Sequence, residues 1–455
     1  MSEVAAPVRI PRRQVWSWAL WDWGTSAFSV LITTFVFARY IVSDYFVDPA
    51  TLAAYTANGG ADGTGPAKVA YDAAVADLTS AVGWALGIGG LAIAIIAPIL
   101  GQRSDAGGRR KLWLGINTGV VIAVTVAMFW VEGAPQFFLL GVVLLTIGNV
   151  FYEIANVNYN AMLLQVSTPK NIGRISGFGW GMGYVGGIVV LLLALVGFVL
   201  GDPPYWFGVT SDLGMNIRAI ALLAAAWSLI FAIPILIWVP SNAAVQPGRI
   251  GLWASYRKLF VTIRDLYRND RQTFYFLLAS AVFRDGLAAV FAFGGILAGA
   301  VFGLTNTEVI LFAVAGNLVA GIGVFSAGWF DDRFGAKRVI IWSLVGLIVT
   351  AVVLFFAHDG GALAFWIGGL VLSLFVGPAQ SSSRSYLGRL APAGGEGELF
   401  GLYATTGRVI SFLSPVAFAV FVTIFGATYW GILGIALILL IGLLLLVPLH
   451  PRFKR

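Results

Sequence analysis

The chain has 455 residues, 59% hydrophobic and 11% charged, with 28 Lys and Arg against 21 Asp and Glu for a formal net charge of +7. A mean hydropathy of +0.88 excludes an ordinary soluble domain, in which about 25% of residues carry charge. There is no Cys and only two His, His358 and His450, so disulfides and thiolate metal sites are excluded, and neither a metal nor a cofactor is expected.

Charge is missing from most windows of about 20 residues, the length that crosses the hydrocarbon of a bilayer. The apolar residues come in continuous blocks rather than in strand-like alternation, so the spans are read as helices and not as a barrel. Twelve are predicted, at 16–40, 79–101, 112–131, 137–165, 175–200, 216–239, 273–303, 307–330, 338–357, 362–383, 398–425 and 428–448. The first is too long for a signal-peptide core and is expected to stay in the mature protein. Loops on one side hold nearly all the bases, among them Arg12, Arg13, Arg103, Arg109, Arg110, Lys170, Arg174, Lys337, Arg384 and Arg389, while the opposite loops hold little beyond Lys68 and Arg218. The positive-inside rule then puts both termini in the cytoplasm and makes the net charge a topology signal; a nucleic-acid partner is not expected.

In chain order, the first span carries Asp22. The exterior loop 42–78 follows, and its Gly-rich segments suggest flexibility. The second span ends in Gly101…Asp105…Gly108-Arg109-Arg110. Span four sets Asn149, Glu153, Asn156 and Asn160 at steps of 4, 3 and 4, with Tyr152 and Tyr159 alongside, which is one stripe on one helix face. Such a stripe suits the wall of a wet cavity, and it also suits plain interhelical polar contacts. Span five carries Gly179, Gly183 and Gly187 at small-xxx-small spacing, which predicts close helix packing, with Trp180 and Tyr184 as further cavity candidates. The linker 240–272 repeats Leu252, Tyr256, Phe260, Ile263 and Tyr267 at helical spacing among Arg and Lys, a basic amphipathic helix expected to lie on the inner leaflet.

Span seven holds the adjacent pair Arg284 and Asp285. Neighbours on a helix point about 100° apart, so each is expected to find its partner on another span. Span eight ends in Gly328…Asp332-Arg333…Gly335…Lys337. This repeats the first motif 227 positions later, with Asp at +4, Gly at +7 and a base at +9. Gly377-Pro378 and Ser414-Pro415 are candidate bends, and span eleven adds Tyr403 and Arg408. Charges inside spans are costly, so Asp22, Glu153, Arg284, Asp285 and Arg408 are expected to face protein or water. Structural ion pairs and a solute pathway both remain open for them.

Other positions follow the repeat: Pro169 and Gly177 pair with Pro392 and Gly401 at offsets of 223 and 224. The architecture expected is an all-α integral membrane protein of two pseudo-symmetric six-helix bundles, residues 1–239 and 273–455, joined by 240–272. Duplication without transport is the alternative.

The doubled loop motif resembles the signature of the major facilitator superfamily. Trp18-Ala-Leu-Trp-Asp22-Trp-Gly-Thr-Ser-Ala-Phe28, Ile175-Ser-Gly-Phe-Gly-Trp-Gly-Met-Gly-Tyr-Val-Gly-Gly187 and Phe400-Gly-Leu-Tyr-Ala-Thr-Thr-Gly-Arg408 resemble its vacuole-effluxer-like subfamily, which includes fungal autophagy-related vacuolar amino-acid exporters. The resemblance implies that Asp105 and Asp332 hold contacts that open and close the cytoplasmic side. Two departures stand out. Ala106 occupies a position usually held by a base, so the first network is expected to be the thinner one. Span five also lacks the Gly-Pro pair of the superfamily's antiporters, so that segment does not support proton antiport.

The function expected is secondary active transport of a small polar solute by alternating access, with an amino acid or similar zwitterion as substrate and protons as candidate coupling ions. A monomer in the cell membrane is expected, the inner membrane if the source is bacterial. No phosphate-cradling loop is present, so ATP is not the direct energy source. A sugar or drug carrier and a non-transporting receptor are the alternatives; an enzyme is not expected, because loop 42–78 lacks His and Glu.

Overall fold

The computed structural model describes residues 10–241 and 252–450, and every regular element among them is helical. The long helices are α1 (Arg12–Ala27), α2 (Pro66–Ala106), α3 (Arg110–Ala127), α4 (Phe138–Met162), α5 (Ile172–Phe198), α6 (Met215–Trp238), α7 (Leu252–Asn269), α8 (Arg271–Ala300), α9 (Asn306–Phe334), α10 (Ala336–Phe356), α11 (Gly361–Leu390), α12 (Glu396–Ile410), α13 (Leu413–Phe425) and α14 (Gly431–Leu446). Among the described residues, eleven helical segments are long and apolar enough to cross a bilayer. Their outward faces are apolar: Trp84, Leu139, Phe356 and Leu363 are all exposed on the isolated chain. A protein in water would bury such residues, whereas a lipid-facing surface presents them.

The predicted span 16–40 differs from the other eleven. α1 passes into wide π turns over Phe28–Phe35, and a short helical turn, Phe37–Tyr40, completes it. The Thr33 and Thr34 hydroxyls both donate to the Ser29 carbonyl at 2.7 Å. These hydroxyls compete for backbone acceptors in a run rich in β-branched residues, which favours the widened turn.

Two expectations about local structure are corrected. Loop 42–78 is not a loose segment: Asp48 caps the helix Pro49–Ala57, and α2 already starts at Pro66. Ala67, Ala70, Ala73, Ala74 and Ala76 make that extension a strong helix former, with Pro at the first helical position. The Tyr55 and Tyr71 rings stack at 3.9 Å between centroids and tie the two helices together. In the linker helix α7, Tyr256 and Ile263 pack on the bundle core, while Trp253, Phe260 and Tyr267 point outward. The predicted stripe therefore straddles the contact edge rather than lying wholly on lipid.

Span eleven is broken, as Ser414-Pro415 suggested. α12 ends at Ile410 and α13 begins at Leu413. Pro415 has no amide to offer the Ser411 carbonyl one turn earlier, so the ladder stops there. Gly377-Pro378, by contrast, lies within an unbroken α11.

The apolar core divides by chain half. Two clusters draw only on the first half, one around Phe28, Leu31 and Val190 and one around Trp18, Trp21 and Tyr159. A third is built mainly from the second half, around Phe283, Leu344, Tyr386 and Leu439. The halves meet along two seams, α2 against α12 and α5 against α9.

Candidate functional site

Helices α2 and α9 each end in a motif copy at the end of the bundle that collects the bases. There Gly108 takes φ +63° and Gly335 φ +91°, left-handed conformations that turn one helix into the next and that only glycine adopts freely. The opening glycines serve a different purpose. A Cβ on Gly101 would come within 2.6 Å of the Gly397 carbonyl carbon, and one on Gly328 within 2.9 Å of the Arg174 Cα. Both residues thus mark points where the backbones of the two halves touch. Gly177 and Gly401, paired by the sequence offset, repeat this one turn deeper: their Cβ positions lie 3.1 Å from the Gly328 Cα and 2.5 Å from the Pro98 Cα.

In the first copy, Arg110 Nε donates to Asp105 Oδ1 at 2.6 Å and Nη2 pairs with Glu396 Oε2 of the other half at 2.5 Å. The Glu398 amide donates to Asp105 Oδ2 at 2.9 Å, and Gln102 Nε2 donates to the Glu398 side chain at 3.3 Å. Asp105 therefore sits on the free amides at the start of α12, where the helix carries partial positive charge. All five side chains are buried. Arg109 is exposed beside this cluster.

In the second copy, Asp332 Oδ1 accepts from the Gly173 amide at 2.8 Å and Oδ2 from the Arg174 amide at 3.1 Å, at the start of α5. Its neighbour Asp331 takes the ion pair, with Arg389 Nη1 at 2.6 Å and the Ser385 hydroxyl also donating to it. Lys337 reaches the Val447 and Leu449 carbonyls at 2.7 and 2.5 Å and closes the end of α14. Arg333 is exposed, 5.3 Å from the Trp329 ring. The expectation that Ala106 thins the first network is overturned, because Arg333, the corresponding base, joins no interhalf bond among the described residues while Arg110 bridges two carboxylates.

Above these latches, polar side chains from both halves face one another at mid-depth. Arg408 Nη2 pairs with Glu153 Oε1 at 2.6 Å, and both side chains are about one-third exposed. The Tyr184 hydroxyl donates to Gln380 at 3.3 Å, and the Thr405 hydroxyl to the Ala94 carbonyl at 2.9 Å. Arg284 donates to the Tyr403 carbonyl at 3.0 Å with its guanidinium 3.7 Å from that ring, while the Tyr403 hydroxyl meets Ser383 at 2.6 Å. Asp285 accepts the Ser414 amide at 2.7 Å, the donor freed by the break before α13. Asp22 accepts from the Tyr159 hydroxyl at 3.5 Å.

The predicted stripe on α4 splits in function. Glu153 and Asn160 reach the second half, Asn156 donates back to the Tyr152 carbonyl of its own helix at 3.1 Å, Tyr152 packs on Phe28, and Asn149 is half-buried. Trp180 lies beside Tyr184, their ring centroids 6.3 Å apart.

The position of Arg384 after span ten points to a cytoplasmic loop, and the structure corrects this. Arg384 lies inside α11, 3% exposed, and reaches across to Ser176 and Asn160 of the first half. Glu396, Glu398 and Asp331 are likewise not among the residues that the sequence singles out. A polar run, Ser381-Ser-Ser-Arg384-Ser, continuing the helical pattern past 383 was the available signal.

Hydrogen bonds join the halves at the basic end and at mid-depth. The interface is latched at the basic end.

Comparison with known proteins agrees with this geometry. The family described as Vacuole effluxer Atg22 like matches residues 11–452. An uncharacterized MFS-type transporter, YxiO of Bacillus subtilis (strain 168), is 24% identical over 433 residues, covering 94% of this chain and 93% of that protein. Autophagy-related protein 22-1 of Aspergillus fumigatus is 27% identical over 319 residues, 64% of this chain, and the match spans only 50% of the fungal protein. The crystal structure of the transporter FucP in the outward conformation superposes with a TM-score of 0.68 at 14% identity, covering 97% of this chain and 100% of that one. The proton:xylose symporter XylE gives 0.68 at 11% identity, covering 97% and 95%. At such identities the two structures establish the major facilitator fold and nothing about substrate. With the family match running almost from end to end, this multi-pass membrane protein belongs to the Vacuole effluxer Atg22-like family of MFS-type transporters.

Proposed function

We propose that the chain is a secondary active transporter that moves a small polar zwitterion, an amino acid or a close relative, by alternating access. The observation that carries the reading is the Glu153–Arg408 ion pair at 2.6 Å, formed between halves in a half-wet setting. A purely structural pair gains little there, whereas a pair at the rim of a solute chamber can break and re-form as the halves rock. The rocking units are residues 1–239 and 273–455, with 240–272 between them. If the basic end faces the cytoplasm, the latched arrangement is outward-open, and Asp105 and Asp332 exchange partners when that end opens. The cell membrane, the inner membrane in a bacterium, is the proposed location, with the monomer as working unit.

Proton coupling is part of the proposal. Of the three candidate carboxylates, Glu153 is held by Arg408 and Asp285 by the Ser414 amide, while among the described residues Asp22 has the long Tyr159 hydrogen bond alone. Asp22 is therefore the preferred carrier. Counterflow in liposomes with an amino-acid panel tests the reading: exchange of one or more zwitterions is expected, and exchange of neutral sugars alone would replace it. Uptake driven by a pH gradient should survive in Glu153→Gln and fail in Asp22→Asn; the reverse pattern would move the coupling site to Glu153.

A further inference from the structure

Most charges at the interface between the halves already have partners. Glu153 and Arg408 hold each other, Asp285 takes a backbone amide, and Arg284 is held by the Tyr403 carbonyl and ring. Two charges differ from these, and they come from opposite halves.

Arg384 extends from α11 into the middle of the first half. Nε donates to the Ser176 hydroxyl at 3.0 Å, Nη1 to Asn160 Oδ1 at 3.1 Å and Nη2 to the Ser176 carbonyl at 2.5 Å. Its guanidinium carbon lies 5.1, 5.7 and 5.5 Å from the rings of Trp18, Tyr159 and Trp180. Every acceptor is neutral, and among the described residues no carboxylate lies within the 4.0 Å of an ion pair. Asp22 on α1 has the Tyr159 hydroxyl at 3.5 Å and the bare backbone of Gly183, where a Cβ would sit 3.0 Å from Oδ1. Tyr159 adjoins both charges: its hydroxyl reaches Asp22, and its ring lies 5.7 Å from the Arg384 guanidinium carbon. Trp180 Nε1 is buried with no acceptor. Asp22, Asn160, Trp180 and Tyr184 are all half-buried, so water or a solute reaches this level.

A buried guanidinium without an anion is costly, because it cannot shed its proton. It also offers a planar fork that matches a carboxylate. We infer that Arg384 and Asp22 form a split receptor for an α-amino acid, with the solute's carboxylate on Arg384 and its ammonium on Asp22 once Asp22 has released the proton it carries. The inference rests on the zwitterion reading above and names the pair that would carry it. The Trp180 ring lies 5.5 Å from the Arg384 guanidinium carbon, and its Nε1, without a partner among the described residues, offers the carboxylate a further donor.

The same geometry couples binding to opening. The donors that would grip a carboxylate are the ones that now bind Ser176 and Asn160 and so help hold α11 against α4 and α5. A carboxylate adds charge–charge attraction and a bidentate fit to bonds that the guanidinium otherwise makes to neutral acceptors. A bound carboxylate therefore draws the guanidinium off the first half and weakens closure of the basic end. The empty carrier stays latched and the loaded one is released.

The test uses the purified full chain in proteoliposomes. Counterflow is measured first for the twenty L-amino acids. For the best of them, competition is then compared with its decarboxylated amine and its deaminated acid. In the wild type both analogues should compete about 10- to 100-fold more weakly, the range expected for loss of one charged hydrogen-bonded contact. In Arg384→Gln the amine should compete as well as the amino acid, and in Asp22→Asn the acid should. Arg384→Lys, which keeps charge but not the fork, should fall between wild type and Arg384→Gln. Because the chain has no Cys, Ser382→Cys provides a single alkylation reporter; Ser382 is buried, with its hydroxyl unpartnered. Its alkylation should accelerate with the amino acid, and lose that response in the Arg384→Gln background. Should wild type exchange amino acids while both variants keep its analogue preferences, the receptor is elsewhere and the inference falls. If wild type exchanges no zwitterion at all, the reading beneath it falls instead.

Discussion

Asp105 and Asp332 hold equivalent places in the two motif copies, yet the chemistry around them is divided differently. Asp105 does two jobs: it accepts the Glu398 amide from the opposite half and binds Arg110, which in turn reaches Glu396. In the second copy Asp332 keeps the amides of Gly173 and Arg174 and longer ion pairs with Arg174 and Arg389 at 3.4 and 3.5 Å, while the close pair with Arg389, at 2.6 Å, passes to Asp331. The base at +9 crosses the seam as Arg110 but, as Lys337, turns back to cap α14. The copies share what the backbone requires, namely a glycine that lets helices of the two halves touch and a carboxylate on a helix start. A role defined by helix geometry survives duplication. A role defined by side-chain partners is free to move to a neighbour. The first seam joins carboxylates of both halves in one buried cluster around Arg110, and the second divides the roles of Asp105 between two adjacent carboxylates of one helix.

That difference predicts unequal responses to substitution. Arg110→Ala leaves Asp105 and Glu396 facing each other without their shared cation. Removing one member of a buried ionic cluster costs roughly 3–5 kcal/mol, so a large loss of thermal stability in detergent and loss of transport are expected. A melting temperature within a degree of wild type would refute the view of the first seam as one coupled cluster. Gly101→Leu and Gly328→Leu should each cost about 1–3 kcal/mol by overpacking and widen their own seam, read as a longer spin-label distance between α2 and α12 or between α5 and α9. A seam that stays closed would show that the glycine contact is incidental.

Asp332→Ala removes a cap from two amides of α5, worth about 1–2 kcal/mol. A double-mutant cycle with Arg389→Ala should give weak coupling, because Arg389 answers chiefly to Asp331. Strong coupling would return both roles to Asp332 and erase the contrast between the copies. The smallest effect is expected for Lys337→Ala, which loses bonds at the end of α14 worth about 1 kcal/mol and should leave transport rates unchanged.

Much of the fold was legible before any coordinates. Charge-free windows of membrane-crossing length needed only a count, since backbone amides in lipid must bond within their own segment. The repeat of Gly, Asp, Gly and base marked two helix ends at which the halves touch, and Pro415 announced the break in span eleven, because it lacks an amide whatever surrounds it. Helix ends were harder. α2 begins at Pro66 because alanines continue the helix beyond the apolar window, and the reading of 42–78 as a flexible loop missed that.

The site was legible only in part. Asp22, Glu153, Arg284, Asp285 and Arg408 stood out as charges inside apolar spans, but nothing along the chain says which charge meets which. Arg384 was hidden because it follows an apolar window and imitates a loop base, although α11 carries it into the bundle.

The chain alone determined that its apolar blocks are helical and at which helix ends the bases collect, because each depends on local composition and on the obligatory bonding of the backbone in hydrocarbon. Only the tertiary structure decided that Glu153 meets Arg408 while Arg384 and Asp22 both adjoin Tyr159, neither in an ion pair among the described residues. Side-chain partnership depends on which helix faces come within a few ångströms of each other, and residues 224 or 255 positions apart are brought together by packing that no local pattern encodes.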